Sequence, residues 1–275
     1  MQVPVFDPPL LPMPRLGLGT WPMRGAECQA AVESALGMGY SHLDTAEMYG
    51  NEDAVGAGIK ASGVPRAEVF LTTKAWWDKP KGDAIRRACE ASLKRLGLAY
   101  LDLYLIHWPS PELDLPDALR ALARIQADGL ARHVGVANFP LGLLRRAVES
   151  GIAPIACLQV EHHVLLGQQR LLDYVRPHGI ALTSYSPVAK NAVAQEPEIA
   201  RIATRHGVTP AQVALAYLLA MPGVAAIPKS ASPARQRENL AALDLALDAE
   251  DLAALAALPK NRRMVNPGFA PDWES

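Results

Sequence analysis

Three neighbouring strand-like segments of this chain end on side chains that carry charge or exchange protons. Asp44 ends YSHLD, Lys74 ends VFLTTK and His107 ends LDLYLIH, while Tyr49 follows Asp44 by five residues. A phenol with an ordinary pKa of about 10 needs a nearby cation to donate its proton readily at neutral pH. The ammonium of Lys74, held by the Asp44 carboxylate, would supply that cation, and His107 would orient a carbonyl oxygen. The set predicts a proton relay for a carbonyl group.

Other chemistries fit these residues less well. Each side chain alone is more typical of a turn cap or a solvated charge, but three of them on neighbouring strands favour one shared site. No Ser or Cys lies beside His107 to act as a nucleophile. His162 and His163 are adjacent, so they point in opposite directions on an extended chain, and no HExxH motif is present. We therefore expect no metal site.

A second candidate site follows the last strand-like segment, in IPKSASPARQREN. Ser232 and Pro233 are typical of a helix N-cap and first helical position, so Lys229 and Ser230 lead into a helix N-terminus, with Arg235 in its first turn. Free backbone N–H groups, the positive end of a helix dipole and nearby cations bind phosphate. Beside a proton relay, this pattern predicts a phosphorylated cofactor lying across the site.

Eight β-rich segments alternate with helix-length amphipathic segments and must position these residues. The strand-like segments are 16–19, 40–44, 69–74, 101–107, 132–138, 154–160, 179–185 and 223–228, and helical patterns that end on glycine cover 28–39, 83–97 and 117–129. Eight β/α units in about 250 residues predict an α/β fold of the (β/α)8 TIM-barrel type, with its working groups at the carboxyl ends of the strands. A doubly wound sheet is the alternative, but the first strand is followed by TWPMRGAE rather than GxGxxG.

The composition excludes several other classes of protein. Half of the 275 residues are hydrophobic, and the net charge of −1 gives no reason to expect a nucleic acid or a membrane surface as partner. No apolar run reaches 18 residues, no signal peptide is evident, and the three separated cysteines indicate reduced thiols. We expect one cytoplasmic, monomeric domain over 1–275, with an N-terminal hairpin within 1–15 and a tail over 260–275 that covers the barrel mouth.

The chain resembles the aldo-keto reductase family over about residues 10–275. The matching blocks include LGLGTW, HLDTAEMYGNEDAVG, LTTKAWW, YLDLYLIHWP, HVGVANF, LQVEHH, TSYSP and IPKSASPARQRENL, in order and at the family's spacing. Within the family it is most similar to bacterial 2,5-diketo-gluconate and methylglyoxal reductases. The resemblance implies an NADPH-dependent barrel enzyme that reduces small dicarbonyls, such as methylglyoxal, or keto sugar acids by hydride transfer.

The resemblance also implies a role for each residue that matches a family motif. Tyr49 would be the general acid, Lys74 and Asp44 would lower its pKa, and His107 would orient the carbonyl. The substrate would contact Trp21, Tyr49, Trp76, His107 and Trp108. The implied cofactor residues are Thr20, Trp21 and Asp44, then Asn138 and Gln159 for the carboxamide, Tyr185 for stacking on the nicotinamide, Ser186, then Lys229, Ser230 and Arg235 for the 2′-phosphate, and Glu238 and Asn239 near the adenine.

Three departures from the family pattern affect loops rather than the relay. Ala137 stands where relatives often have Ser, 188–190 replaces a Leu-Gly type of continuation, and His162–His163 replaces a pattern with Pro.

Two other functions remain alternatives. One is a Schiff-base lyase using Lys74, which the Asp44 partner disfavours because it raises the pKa of the amine. The other is a module that binds NADPH with little turnover.

Overall fold

Eight parallel strands form the centre of the molecule in the computed structural model, which describes residues 3–79 and 81–274. Within these residues the strands are β1 (Leu18–Gly19), β2 (His42–Asp44), β3 (Phe70–Ala75), β4 (Leu101–Ile106), β5 (Ala131–Ala137), β6 (Ile155–Glu161), β7 (Ala181–Tyr185) and β8 (Val224–Ala226). Each strand pairs with the next in sequence order. The N–H of Gly17 donates to Ala226 O at 2.9 Å, and the N–H of Gly19 donates to Pro228 O at 3.1 Å. These bonds join the first and last strands, so the fold is the predicted (β/α)8 barrel.

Helices surround the strands and return the chain to the amino end of the barrel. They are α1 (Gly25–Gly37), α2 (Glu52–Ser62), α3 (Gly82–Leu96), α4 (Leu115–Ala127), α5 (Leu141–Glu149), α6 (Gln169–Val175), α7 (Pro197–His206), α8 (Pro210–Leu219), α9 (Pro233–Ala241) and α10 (Ala249–Ala257). Gly97 ends α3 with φ of 67°, in the left-handed region that the glycine patterns predicted. Thr209 caps α8 in a reciprocal capping box with Gln212. No helix within the described residues is both long and apolar enough to cross a membrane.

The predicted N-terminal hairpin closes the amino end of the barrel. Val5 and Pro14 form an antiparallel bridge, and the N–H of Phe6 donates to Met13 O at 3.1 Å. Met13 is fully buried and packs with residues from the strands, including Leu103 and Ala181. Because Ala181 is the first residue of β7, the hairpin fills the barrel from the end opposite the predicted site.

Three of the predicted strands are shorter than their sequence patterns. The segments 16–19, 40–44 and 223–228 contribute strands of two, three and three residues. Their flanks still follow the barrel wall, since Leu16 and Ala226, and also Gly19 and Lys229, form isolated parallel bridges. The hydrophobic pattern therefore located the strands of the barrel correctly, but it overestimated how many residues of each segment form regular strand hydrogen bonds.

Candidate active site

The carboxyl ends of the strands surround a cleft of about 780 Å³, within the range typical of small-molecule sites. Predicted site residues form much of its lining: Thr20, Trp21, Asp44, Tyr49, His107, Trp108, Asn138, Gln159, Tyr185, Ser186, Lys229, Ser230, Arg235, Glu238 and Asn239. Only two predicted site residues are outside this lining, Lys74 and Trp76. The cleft runs from the predicted proton relay at one end to the N-terminus of α9 at the other.

A buried ion pair lies at the relay end of the cleft. Lys74 Nζ donates to Asp44 Oδ1 at 2.5 Å and to Thr45 O at 2.8 Å, and its side chain has no exposed surface. Gln159 Nε2 donates to the other carboxylate oxygen, Asp44 Oδ2, at 2.7 Å. Both charges are thus compensated by hydrogen bonds, which an ion pair away from water requires. Burial lowers the pKa of Lys74, whereas the Asp44 charge raises it.

Tyr49 lies beside this pair on a short 3₁₀ turn, Glu47–Tyr49, which directly follows β2. Lys74 Nζ is 5.2 Å from the centroid of the Tyr49 ring. Burial, together with the Asp44 charge, raises the pKa of Tyr49 well above its ordinary value. This direction is opposite to the lowering expected from the sequence, because the phenol is removed from water and the negative charge of Asp44 disfavours the phenolate. The geometry therefore keeps Tyr49 protonated, as a proton donor must be.

His107 completes this end of the site as a neutral imidazole. Its ring centroid is 5.6 Å from that of Tyr49, in an edge-to-face arrangement. Burial, with the nearby Lys74 charge, lowers the pKa of His107 well below its ordinary value. Nδ1 is buried and has no hydrogen-bond partner among residues 3–79 and 81–274. An uncharged imidazole can donate one hydrogen bond to a carbonyl oxygen without competing with Tyr49 for the proton transfer.

Aromatic side chains form a wall beside His107. The Trp76 ring lies 5.1 Å from the His107 ring and 5.4 Å from Phe269, so it supports the lining rather than forming it. Trp108 lines the cleft and packs edge-to-face against Phe269 at 5.6 Å and Trp273 at 5.9 Å. The C-terminal tail thus covers the His107 end of the cleft, as expected, and makes that end largely apolar.

Two of the predicted cofactor residues are held in unusual backbone conformations. Asn138 and Ser186 have φ of 60° and 50°, which is uncommon outside glycine. The Asn138 side chain donates to His107 O at 2.9 Å and accepts from the Tyr185 hydroxyl at 2.8 Å. Strained residues of this kind cluster at ligand sites, where the surrounding structure imposes them. Both strained residues line the cleft.

The opposite end of the cleft presents cations at a helix N-terminus. Ser232 caps α9, its side chain accepting from the Arg235 N–H. Lys229 and Arg235 are exposed and line the cleft, and neither forms a salt bridge with any residue in the described part of the chain. Two cations without carboxylate partners, next to free helix N–H groups, suit an anion such as phosphate.

Several residues of the site were not predicted from the sequence. Met48 and Val265 also line the cleft. Asn51, fully buried, accepts from Thr45 Oγ1 at 2.7 Å and donates to Met23 O at 2.9 Å, so it ties the Tyr49 turn to the loop after β1. Glu161 ends β6 and contacts the tail. Asp44 was selected because it is a titratable residue at the carboxyl end of a strand. The same rule would also have selected Glu161, which ends β6.

The chain belongs to the aldo/keto reductase family, whose profile matches residues 15–260. It is an oxidoreductase of the carbonyl-reducing type. A methylglyoxal reductase DkgB of Escherichia coli O157:H7 is 40% identical over 266 residues, which cover 95% of this chain and 99% of that protein. An aldo-keto reductase of Mycolicibacterium smegmatis is 41% identical, with 92% of each chain covered. A crystal structure of a "putative 2,5-diketo-D-gluconic acid reductase B" has a TM-score of 0.93 at 41% identity, covering 96% of this chain and 95% of that one.

Proposed function

We propose that this enzyme reduces small aldehydes and ketones with NADPH, and that Tyr49 protonates the carbonyl oxygen. One observation carries the proposal: a single cleft joins a protonated Tyr49, backed by the Lys74–Asp44 pair, to two unpaired cations at the N-terminus of α9. The first end suits a carbonyl that becomes an alcohol, and the second suits a phosphorylated cofactor. Neither the lyase nor the low-turnover alternative accounts for both ends.

The residues of the relay have separate tasks in this reaction. A neutral His107 donates a hydrogen bond that orients the carbonyl oxygen toward Tyr49. As negative charge develops on that oxygen, the Tyr49 hydroxyl gives up its proton, and the buried ammonium of Lys74 stabilises the phenolate that remains. Asp44 keeps this ammonium charged although burial favours the neutral amine.

The remaining cleft residues fit NADPH by their chemistry. When bound, NADPH supplies the hydride that the carbonyl carbon accepts. Lys229, Ser230 and Arg235 would hold its 2′-phosphate, with Glu238 and Asn239 near the adenine. At the other end, Asn138 and Gln159 would meet the carboxamide, Tyr185 would stack on the nicotinamide ring, and Ser186, Thr20 and Trp21 would border it. Because Gln159 Nε2 donates to Asp44, its carbonyl oxygen is the atom available to accept from the carboxamide.

The substrate is proposed to be a small dicarbonyl such as methylglyoxal, with keto sugar acids as the second class. The names of the relatives support both, and the apolar surroundings of Trp108 favour the smaller, uncharged molecule. We also propose that the enzyme acts as a monomer, because Val5 and Trp21 are the only large hydrophobic side chains exposed within the described residues.

Exchange of Tyr49 for Phe tests the proton donor. We expect Tyr49→Phe to reduce turnover of methylglyoxal by about 10²- to 10⁴-fold, since it removes only the acidic hydroxyl. The measurement is the loss of NADPH absorbance, with NADPH binding followed separately by fluorescence. Tyr100→Phe is the matched control, because Tyr100 precedes β4 at the opposite end of the barrel. Full turnover by Tyr49→Phe would refute the assignment, and wild-type binding of NADPH without turnover of any carbonyl would favour the low-turnover module.

Removal of the two unpaired cations tests the cofactor. The double variant Lys229→Ala/Arg235→Ala should weaken NADPH binding by at least about tenfold, because two charge-assisted contacts to a phosphate are lost. Binding of NADH, which lacks the 2′-phosphate, should change little. An unchanged ratio of NADPH to NADH affinity would show that the phosphate lies elsewhere.

A further inference from the structure

Glu161 is a buried carboxylate that takes no part in the proton relay. It ends β6, its side chain has no exposed surface, and both of its oxygens face the C-terminal tail. Oε1 accepts from the Met264 N–H at 2.7 Å, and Oε2 accepts from the Val265 N–H at 3.0 Å. One buried acid thus holds two consecutive backbone groups that lie about a hundred residues further along the chain.

The other neighbours of Glu161 keep its charge compensated. His163 Nδ1 accepts from the Leu165 N–H at 3.3 Å, so its proton is on Nε2, which donates to Glu161 Oε1 at 3.1 Å. Arg263 Nη1 lies 3.8 Å from Oε2. The Arg263 guanidinium also stacks on the Trp273 ring, with 3.7 Å to the centroid. The His163 that departs from the family pattern is therefore part of the anchor for the tail.

The anchored segment leads directly into the substrate wall. Val265 lines the cleft, and Phe269 packs against the rings of Trp76, Trp77 and Trp108. Two further links to this segment are exposed: Lys190 donates to Met264 O, and Arg262 pairs with Glu196. A backbone link precedes it, since the Arg262 N–H donates to Leu165 O at 2.9 Å. Exposed pairs contribute little to stability, whereas hydrogen bonds to a buried carboxylate are strong and costly to break.

We propose that Glu161 is a positioning residue that sets substrate selectivity by fixing the tail, and this proposal rests on the proposed carbonyl reduction. It touches neither the substrate nor the relay. It holds Met264 and Val265 so that Val265, and Trp108 supported by Phe269, contact the part of the substrate away from the carbonyl. A bulky aromatic aldehyde uses these contacts, whereas methylglyoxal is too small to reach most of them.

The test is Glu161→Gln, which keeps the size of the side chain but turns one acceptor oxygen into an amide donor facing a backbone N–H. We expect the KM for 4-nitrobenzaldehyde to rise roughly tenfold, the value of a few lost apolar contacts. The kcat and KM for methylglyoxal, and NADPH affinity, should stay within about twofold because the relay and cofactor end are untouched. Trypsin should cleave the variant faster after Arg262 or Arg263. Glu196→Gln, which weakens one of the two exposed links by removing the charge that pairs with Arg262, is the matched control and should behave as wild type.

A tail-side variant keeps the proposal testable if Glu161→Gln does not fold. Met264→Pro removes the N–H group that donates to Glu161 Oε1 and leaves the buried glutamate itself unchanged. It should produce the same selective rise in the KM for 4-nitrobenzaldehyde. Equal changes for both aldehydes, or no change with unaltered proteolysis, would overturn the proposal. If the wild-type enzyme reduced no carbonyl at all, the proposed function would fail, whereas the proteolysis comparison would still decide whether Glu161 anchors the tail.

Discussion

Two buried histidines outside the relay should make this enzyme sensitive to acid. Burial lowers the pKa of His42 to about 4, although Asp44 opposes the shift. Burial, with the charges of His163, Lys260 and Arg176, lowers the pKa of His162 to about 3. Both imidazoles are therefore neutral in the folded protein at pH values where the unfolded chain, with an ordinary histidine pKa of about 6.5, is already protonated.

The sign and size of the effect follow from these pKa values. Because the folded-state values are depressed, the stabilising contribution is complete above pH 6.5 and is lost as the pH falls toward the folded-state pKa. Each histidine lowers the free energy of unfolding by about 1.4 kcal/mol per pH unit in that window. The two together remove roughly 5 kcal/mol between pH 6.5 and 4.5, comparable to the whole stability of a marginal domain. His107, whose pKa is also lowered, acts in the same direction.

Urea unfolding at half-unit steps from pH 8 to 4.5 measures this loss directly. In His162→Gln, the slope below pH 6 should be smaller by about 1.4 kcal/mol per pH unit, because one buried titrating group is gone. The hydrogen bond of His162 to Ser184 Oγ, at 3.0 Å, remains available to the glutamine amide. Above pH 7.5 the two slopes should coincide, which serves as the internal control. Parallel curves throughout would mean that His162 is protonated in the folded state, and the reasoning would be wrong.

Two further variants test the buried polar contacts that hold the site, and a third tests the contact between α1 and α2. Asp44→Asn should lower the free energy of unfolding in urea by about 3–5 kcal/mol and abolish turnover, since Lys74 loses its buried counter-ion; a loss below about 1 kcal/mol would contradict this. Asn51→Ala should cost about 1–3 kcal/mol, because three polar groups lose their partner, and should lower kcat more than it raises KM by loosening the turn that carries the proton donor. Gly58→Ala should lower the thermal midpoint, because the added Cβ would lie 2.7 Å from Val32 Cβ where α1 and α2 meet; a midpoint equal to wild type would refute that contact.

The relay could be predicted from the sequence because parallel barrel strands all end at the same rim. That single rule groups Asp44, Lys74 and His107 from the order of the residues alone, and the three side chains do lie together at one end of the cleft. The pKa of Tyr49 could not be predicted in the same way. Its direction depends on how completely the phenol is buried and on how near the Asp44 charge lies, and residue spacing gives neither quantity.

The positions of residues that depend on contacts between distant loops could not be predicted from the sequence either. Trp76 has the motif position of a lining residue, yet it is outside the cleft lining, and its ring packs edge-to-face against His107 and Phe269. Val265 lines the cleft, and its N–H donates to Glu161 Oε2 from a distant strand. Such contacts join segments a hundred residues apart, and no local pattern specifies which of many polar groups will pair.

The hairpin and the tail lie at opposite ends of the barrel, which matters for handling the protein. The chain from Val3 to Arg15 packs at the amino ends of the strands, remote from the cleft, whereas Trp273 packs beside Trp108 at its rim. An affinity tag or surface tether at the N-terminus would leave the rim open to substrate. The same addition after the last residue would place new chain next to the aromatic wall beside His107, so kinetic comparisons are best made with N-terminally tagged protein.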